Sequence, residues 1–253
     1  MFSFTEAQLL GWLTPILWPT MRMLALLASL PVFSQRVVPM RVKLGLAVFI
    51  ALSAQAALPA MPTIELDSPA AMALVVQQVL VGTALGFSVR IVFAAVELAG
   101  EVTGLQMGFN FAGFFDPATA SMGTASGRFF GTIVAFVFVI VNGHLAVLAV
   151  LVKSFEAFPV GGEPLAFLWQ LQPQTWGAEI FALGLWIALP LVGMLLFVNL
   201  VLGVIARVAP QINIFAVGFP VTMTVGLIGI LLTLPMMQQP FTSALERMIS
   251  RFQ

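Results

Sequence analysis

The sequence contains no cysteine, no tyrosine and only one histidine, His144, among its 253 residues. Without cysteine the chain can form neither a disulfide framework nor a site that holds a metal through cysteine and histidine together. Most catalysis that depends on histidine is excluded for the same reason. We therefore expect a protein that is not an enzyme and that holds no metal and no cofactor.

Charged residues are also scarce. Asp, Glu, Lys and Arg make up 8% of the chain and apolar residues 60%, whereas about a quarter of an ordinary soluble domain is charged. So few charges could not keep a soluble chain of this size dispersed, and the composition predicts an integral membrane protein. Ten basic residues balance ten acidic ones, so no net field attracts nucleic acid.

Six stretches are apolar enough to be membrane-spanning helices, which need about 20 mainly apolar residues. Two of the six contain a charge, Arg22 or Arg90, so we expect them to be broken, interfacial or packed against protein. Residues 97–128 would form the one long connection. The predicted spans are residues 7–33, 44–60, 70–96, 129–152, 180–206 and 212–238.

Basic residues in short loops predict the orientation, because cytoplasmic loops are enriched in Lys and Arg. Arg36, Arg41 and Lys43 lie between the first two predicted spans with no acidic residue among them. This places that loop in the cytoplasm and the N-terminus outside. With six spans, Arg247 and Arg251 would then lie outside, against the rule. Either the final segment is re-entrant or a partner holds the C-terminal tail.

Glycines recur at four-residue spacing in several places. On a helix this spacing produces one bare stripe, and small residues let helices approach closely within a membrane. The stripes can serve packing within the chain, docking against other subunits, or both. The predicted helix-packing glycines are Gly82, Gly86, Gly100, Gly104, Gly123, Gly127 and Gly131.

Residues 105–117 have the most unusual local composition in the chain, with four Phe and one Met interrupted by Gly and closed by Asp-Pro. The segment is too short to span a membrane and too broken by glycine to be a stable helix. It is either a buried re-entrant plug that only fills space or a seal that closes a pore by excluding water. The residues assigned to this loop are Gln106, Met107, Gly108, Phe109, Phe111, Phe114, Phe115, Asp116 and Pro117.

Three polar residues, two at the edge of a predicted span and one within a span, each have two interpretations. Glu97 and Glu101 are four residues apart and would share one helix face. A solvated or ion-paired face is favoured for them over a proton relay. For His144, local hydrogen bonding at a helix break is favoured over a role linked to proton movement.

The short segment between the last two predicted spans combines charge with helix-ending residues. Pro210 ends one helix, Asn213 can cap the next, and Arg207 adds a charge on the predicted cytoplasmic side. A plain hairpin turn and a docking surface for a cytoplasmic partner both explain the pattern. The candidate partner-facing residues are Arg207, Pro210, Gln211 and Asn213.

Taken together, several of these stretches resemble the FliR family of flagellar export-gate proteins, whose relatives serve virulence type III secretion. The resemblance covers essentially the whole chain, and its Met-Gly-Phe and Phe-Phe-Asp-Pro segments are closer to the flagellar branch. The supporting stretches are Pro31 to Phe33, Pro39 to Lys43, Gly100 to Pro117, Asn142-Gly143-His144, and Arg207 to Phe215 running into Gly218-Phe219-Pro220.

This resemblance implies an all-α subunit of the type III export gate, with about six hydrophobic, partly broken helices packing as helical hairpins. The implied assembly is a hetero-oligomer with FliP and FliQ, beside FlhA and FlhB, at the flagellar basal body in the bacterial inner membrane. Unfolded flagellar proteins would pass through its pore. Much of such a complex is lifted out of the membrane plane, so the hydropathy pattern would describe insertion rather than final position.

The resemblance also implies a division of the chain. Residues 1–178 would be a FliP-like helical part whose loop at about 105–117 closes the resting gate. Residues 179–240 would be a FliQ-like hairpin whose cytoplasmic tip is the Arg207 to Asn213 segment.

Two other classes of protein were compared with this interpretation. A small-solute secondary transporter shares the broken helices and the intramembrane charges, but the sequence has no inverted-repeat signature. An intramembrane enzyme is disfavoured by the lone histidine and the lack of cysteine and tyrosine. No Gly-x-x-x-x-Gly-Lys-Ser/Thr motif occurs, so the chain does not hydrolyse ATP by that route.

Overall fold

The computed structural model describes residues 6–35, 37–65, 67–109, 124–161, 169, 171–211 and 213–253. Across these ranges the regular secondary structure is helical, and none of them contains a β-strand. The fold is therefore all-α, as the composition and the resemblance predicted.

The helices follow one another with short connections where the chain is described. Several of them are extended or joined by 3₁₀ turns, at Gln55–Ala57, Pro173–Thr175, Leu234–Met237 and Ser250–Phe252. The α-helices are α1 (Glu6–Ser29), α2 (Met40–Ala54), α3 (Pro69–Met107), α4 (Ala125–Ile140), α5 (Gly143–Ala157), α6 (Trp176–Val208), α7 (Ile214–Thr233) and α8 (Gln238–Ile249).

Within the described ranges, five helical segments are long and apolar enough to cross a membrane. Helices α4 and α5 together would make a sixth, but they are bent by 67° relative to each other. The prediction of about six apolar, partly broken helices is confirmed. The five segments are Leu10–Ser29, Met40–Ala57, Pro69–Met107, Pro173–Val208 and Ala216–Phe252.

The predicted span at residues 129–152 is broken into two helices beside His144, where a helix break was favoured. Helix α4 ends at Ile140 and α5 begins at Gly143. Asn142 lies between them with a φ of 55°, in the left-handed region. Asparagine adopts this conformation more readily than most residues that carry a side chain, so it can end a helix much as glycine does. His144 lies in the first turn of α5, directly after this break.

The long connection predicted at residues 97–128 is wrong at its beginning. Helix α3 continues through Gly100 and Gly104 and ends only at Met107, a length of 39 residues. Each interior glycine costs a helix about 1 kcal/mol relative to alanine. Close packing of these glycines against another helix, described below, offsets that cost. Residues 105–107 are therefore the last turn of a helix and not the start of a glycine-broken loop.

The chain forms two compact units, each built from segments that are distant in sequence. Unit 1 comprises Met1–Arg90, Asn142–Trp176 and Leu245–Gln253. Unit 2 comprises Ile91–Val141 and Gly177–Ala244. The predicted FliP-like and FliQ-like parts, residues 1–178 and 179–240, divide the chain at a different place, because they rest on likeness to other proteins and not on contacts within this chain. They stay a prediction.

Unit 1 has its core where α1 meets the beginning of α3. Trp18 is fully buried and packs with Ala71 and Leu74. The indole Nε1 of Trp18 donates a hydrogen bond to the carbonyl oxygen of Pro62 at 3.3 Å. This bond satisfies the polar atom of an otherwise apolar ring, as a buried tryptophan requires.

Unit 2 has an aromatic centre at Phe93 of α3. Its ring makes edge-to-face contacts with Phe138 of α4, at a centroid distance of 5.5 Å, and with Phe241 of α8, at 5.9 Å. Leu191 and Leu195 of α6 are buried in the same unit. The end of α3 that leads to the predicted pore loop therefore belongs to a packed unit.

Candidate functional site: the helix pair at the predicted pore loop

The carboxyl half of α3 and the helix α4 approach each other through glycines. A Cβ atom added to Gly100 would lie 2.7 Å from Cγ of Phe130, and one added to Gly104 would overlap the hydroxyl of Ser126. From the other helix, a Cβ at Gly127 would lie 2.8 Å from Cγ of Glu101. None of these positions has room for a larger side chain without movement, because real Cβ contacts are longer.

The glycines of the two helices do not meet each other. Each glycine faces a larger side chain of the opposite helix, and Gly131 continues the pattern by facing Oε1 of Glu97, 2.9 Å from its built Cβ. The side chains of one helix thus fill the spaces that the glycines of the other leave open. Sequence spacing indicated the bare stripes, but it did not indicate what would fill them.

The remaining predicted packing glycines lie in unit 1 or outside the described residues. A Cβ at Gly82 of α3 would overlap the carbonyl oxygen of Arg22, and one at Gly86 would overlap the hydroxyl of Ser29. The beginning of α3 is therefore held against α1 in the way that its end is held against α4. Gly123 lies outside the described residues.

Glu97 and Glu101 share one face of α3, as the sequence predicted from their spacing, and both side chains are exposed. Cγ of Glu101 lies over Gly127, and Oε1 and Cγ of Glu97 lie over Gly131. Long charged side chains commonly bury their stems in this way and keep the charged end in a polar environment. The exposure favours the solvated or ion-paired interpretation over a proton relay.

Helix α3 ends in a Schellman motif. The backbone N–H of Gly108 donates to the carbonyl of Leu105 at 3.1 Å, and that of Phe109 donates to the carbonyl of Gly104 at 3.0 Å. Gly108 has a φ of 84°, which a residue with a side chain rarely adopts. This is the pair of bonds that ends many helices at a glycine. Gln106, Met107 and Gly108, which sequence analysis assigned to the loop, are thus the end and cap of α3.

Met107 fixes the end of α3 within unit 2. Its side chain is 0% exposed. A Cβ added to Gly226 of α7 would lie 2.5 Å from Cγ of Met107, so the methionine packs directly over the glycine. Sequence analysis missed Gly226 because it has no glycine partner at four-residue spacing.

A substitution at Gly226 tests this contact. Gly226→Val should destabilise the chain by about 1–3 kcal/mol, the usual cost of overfilling a packed site, measured as a lower midpoint of thermal unfolding in mild detergent. Gly218→Val in the same helix is the matched control, because in the described part of the chain only Cδ1 of Leu202, at 3.7 Å, lies near its built Cβ. Equal effects of the two substitutions would contradict the assigned contact.

Phe109 lines an apolar cavity of about 420 Å³ in unit 2. The first turns of α4 form one wall and residues from α7 and the following 3₁₀ turn form the other. A cavity of this size and composition accepts apolar groups, since it offers few polar partners to water. The other lining residues are Ala125, Ser126, Phe129, Leu227, Ile230, Leu231 and Leu234.

Helix α4 begins at a fixed point after the predicted loop. The hydroxyl of Thr124 accepts a hydrogen bond from the backbone N–H of Gly127 at 3.0 Å, which is the usual arrangement of an N-cap. Both ends of the loop, Phe109 and Thr124, are therefore positioned by helix caps in unit 2. The assigned residues Phe111, Phe114, Phe115, Asp116 and Pro117 lie between these ends and outside the described residues.

At the tip between α6 and α7, one helix ends and the next begins as the sequence predicted. Helix α6 ends at Val208, two residues before Pro210. The side chain of Asn213 accepts a hydrogen bond from the backbone N–H of Ala216 at 3.4 Å, so Asn213 caps α7. The four residues predicted to face a partner, Arg207, Pro210, Gln211 and Asn213, are all exposed.

Long parts of α6 and α7 expose large apolar side chains. Such a surface is unfavourable in water and requires lipid or other protein against it. In α6 the exposed residues include Phe181, Trp186, Phe197 and Leu200, and in α7 they include Phe219, Leu231 and Leu232.

The fold and these sites define a multi-pass helical membrane protein whose polar residues cap and pack helices. In the described part of the chain, no group of three or more His, Cys, Asp and Glu side chains could hold a metal ion. Residues 13–248 match the family described as bacterial export proteins, family 1, and the chain belongs to that family.

Relatives of known name cover most of the chain. It is 45% identical over 227 residues to the flagellar biosynthetic protein FliR of Escherichia coli (strain K12), covering 90% of this chain and 87% of that protein. It is 40% identical over 245 residues to the FliR of Pectobacterium carotovorum, covering 97% and 93%. The FliR of Bacillus subtilis (strain 168) is 32% identical over 214 residues, covering 82% and 81%. The resemblance to the FliR family is confirmed.

Proposed function

We propose that this chain is a non-enzymatic subunit of the flagellar type III export gate in the bacterial inner membrane. With FliP and FliQ homologues it would form the channel through which unfolded flagellar proteins are exported, with FlhA and FlhB homologues nearby at the basal body. The observation that carries this proposal is the 45% identity to a flagellar biosynthetic protein over 90% of the chain. The description of the family as export proteins favours it over a small-solute transporter.

The proposed gate element of this subunit is the segment from Gln106 to Pro117, whose first residues, Gln106 to Gly108, are the end and cap of α3. Its support in the described residues is the way in which its ends are held. The Schellman motif at Gly108 fixes its beginning, and the N-cap at Thr124 fixes the start of the helix that follows it, both within one packed unit. A phenylalanine-rich segment between two fixed points can occupy a narrow channel without being carried out of it.

The hairpin of α6 and α7 is the proposed FliQ-like part, with its tip facing a cytoplasmic partner. Two observations support this. Both helices expose apolar side chains that require a cover, and the capped tip presents polar residues outward. Packing against further subunits would cover the apolar faces, and the tip would remain available to a partner.

Co-expression followed by native mass spectrometry tests the proposal. The tagged full-length chain, produced with FliP and FliQ homologues and extracted in mild detergent, should be recovered in one large hetero-oligomer, and the mass would give the copy number. Recovery only as a monomer or homodimer would contradict the gate-subunit proposal. Solute-flux measurements would then examine the transporter alternative.

The same preparation tests the tip. Arg207→Glu should lower the fraction of the chain found in the hetero-oligomer, because it reverses an exposed charge and places an acid in the last turn of α6, where the helix dipole is negative. The unfavourable interaction of this acid with the helix dipole alone costs about 0.3–1 kcal/mol. Arg207→Lys keeps the charge and should assemble normally. An unchanged yield for Arg207→Glu would contradict a partner-facing role for the tip.

A further inference from the structure

Arg22 is a fully buried charged residue in the middle of an apolar helix. Its side chain is 0% exposed, and it lies within the candidate span Leu10–Ser29. Placing an arginine at the centre of a membrane helix is unfavourable, and a buried guanidinium without acceptors is more so. The chain must therefore provide acceptors for it.

These acceptors come from two other helices of unit 1. The Nε of Arg22 donates to Oε1 of Gln78 in α3 at 2.8 Å. Its Nη1 donates to the carbonyl oxygen and to the hydroxyl of Ser154 in α5, at 2.9 and 3.0 Å. Its Nη2 donates to the carbonyl oxygen of Phe158 at 2.8 Å. The guanidinium also lies over the ring of Phe155, 3.8 Å from its centroid, in a cation–π contact.

Two of these acceptors lie at the carboxyl end of α5. The helix dipole makes this end negative, and the carbonyl of Ser154 accepts both the backbone N–H of Phe158 at 2.9 Å and Nη1 of Arg22. Arg22 therefore caps α5 from another helix, 132 residues away in sequence. Arginine suits this position because its planar fork presents donors in several fixed directions at once.

Two glutamines extend the network to the turn that follows α5. Nε2 of Gln78 donates to Oε1 of Gln77 at 3.0 Å. Gln77 in turn donates to the carbonyl of Pro159 at 3.2 Å and accepts from the backbone N–H of Gly161 at 3.4 Å. We call Arg22, Gln77, Gln78, Ser154 and the turn at 158–161 the Arg22 cluster.

The order of these residues in the chain gives the cluster a further property. Arg22 precedes Gln78 by 56 residues and Ser154 by 132. Before α5 packs against α1 and α3, the guanidinium lacks its acceptors at Ser154 and Phe158. The turn then also lacks its hydrogen bonds to Gln77. We propose that the Arg22 cluster is a conformational device that docks the turn 158–161 only when α1, α3 and α5 have all come together.

Cysteine labelling of the full-length chain tests this proposal. The chain has no cysteine of its own, so a thiol at Val160→Cys would be unique. Val160 packs against the buried residues Trp18, Ala71 and Leu74, and its thiol should react slowly with a water-soluble maleimide in mild detergent. Arg22→Met should raise that rate about tenfold or more, the factor expected when hydrogen bonds to a charged group are lost.

Matched variants separate docking of the turn from general unfolding. Val147→Cys reports a buried position of α5, and its labelling rate should be the same with Arg22 or Met at position 22. Arg90→Met removes an exposed arginine of α3 and should leave the rate at Val160→Cys unchanged. Arg22→Lys should behave like Arg22→Met, because an ammonium group cannot reach all the acceptors together.

Each result of these labelling experiments either supports the proposal or contradicts it. An unchanged rate at Val160→Cys with Arg22→Met would overturn it, as would a normal rate with Arg22→Lys. Equal acceleration at Val147→Cys would show that α5 unfolds as a whole, which also contradicts local docking. If Arg22→Met cannot be recovered, Gln78→Leu removes one acceptor only and should give an intermediate rate. A rate equal to that of the parent chain would then reject the role of the cluster.

Discussion

Membranes containing the assembled complex should become leaky to ions and small solutes when residues 110–117 are deleted, or when Phe109, Phe111, Phe114 and Phe115 are all replaced by alanine. Each phenylalanine contributes about 1.5–3 kcal/mol of apolar burial where it is fully enclosed, so the loss of four removes the water-excluding groups of the proposed seal. We expect the ion flux into vesicles to rise about tenfold or more, because several kcal/mol of free energy that stabilise the closed pore are lost.

The control for this experiment is the replacement of two phenylalanines that lie outside the proposed seal. Phe49 in α2 and Phe136 in α4 are exposed, and replacing both by alanine should leave the membranes tight. The complex must be shown to assemble in every variant, by native mass spectrometry of the same preparation. Tight membranes around an intact complex with the altered loop would defeat the assignment of residues 106–117 as a pore seal.

Gly127→Leu should lower both the yield and the thermal stability of the chain. Its Cβ would lie 2.8 Å from Cγ of Glu101 and 3.2 Å from the hydroxyl of Thr124, so the leucine would push α4 from α3 and disturb the N-cap. Overfilling of this kind costs about 1–3 kcal/mol, and loss of the cap adds about 1 kcal/mol. The midpoint of thermal unfolding in mild detergent measures the change.

Gly193→Leu is the matched control for Gly127→Leu. Gly193 lies in α6 of the same unit, and among the described residues no atom lies within 4 Å of a Cβ built there. Leucine is a better helix former than glycine by about 0.8 kcal/mol, so this variant should be as stable as the parent chain or slightly more so. A normal yield and stability for Gly127→Leu would refute the close packing of α3 on α4.

Hydropathy predicted the helices because the requirement for a membrane span is length and apolar composition, both of which can be read locally. It did not predict where α3 ends. Helix propensity disfavours Gly100 and Gly104, but their contacts with Phe130 and Ser126 come from a helix that follows later in the chain. A helix break beside His144 was favoured from the sequence, but its angle was not predictable, since a single residue in the left-handed region turns two apolar segments by 67°.

The candidate site was predictable where it depended on local chemistry. Asn213 caps α7 as its position suggested, and the glycine spacing placed the bare stripes on one face of each helix. The contacts between distant residues were not predictable, because no periodicity connects Met107 with Gly226 or Arg22 with Ser154. A charge within an apolar run indicated that Arg22 needed protein around it, but the sequence could not name its partners.

The interleaved make-up of the two units limits how the chain can be shortened. The chain passes from one unit to the other after Arg90, Val141, Trp176 and Ala244. Residues Leu245–Gln253 belong to the unit that contains α1, and Phe252 is buried there against Trp176 and Phe158. A truncation of these last residues would therefore remove part of the unit that also contains the first helix, and no single cut in the chain can release either unit whole.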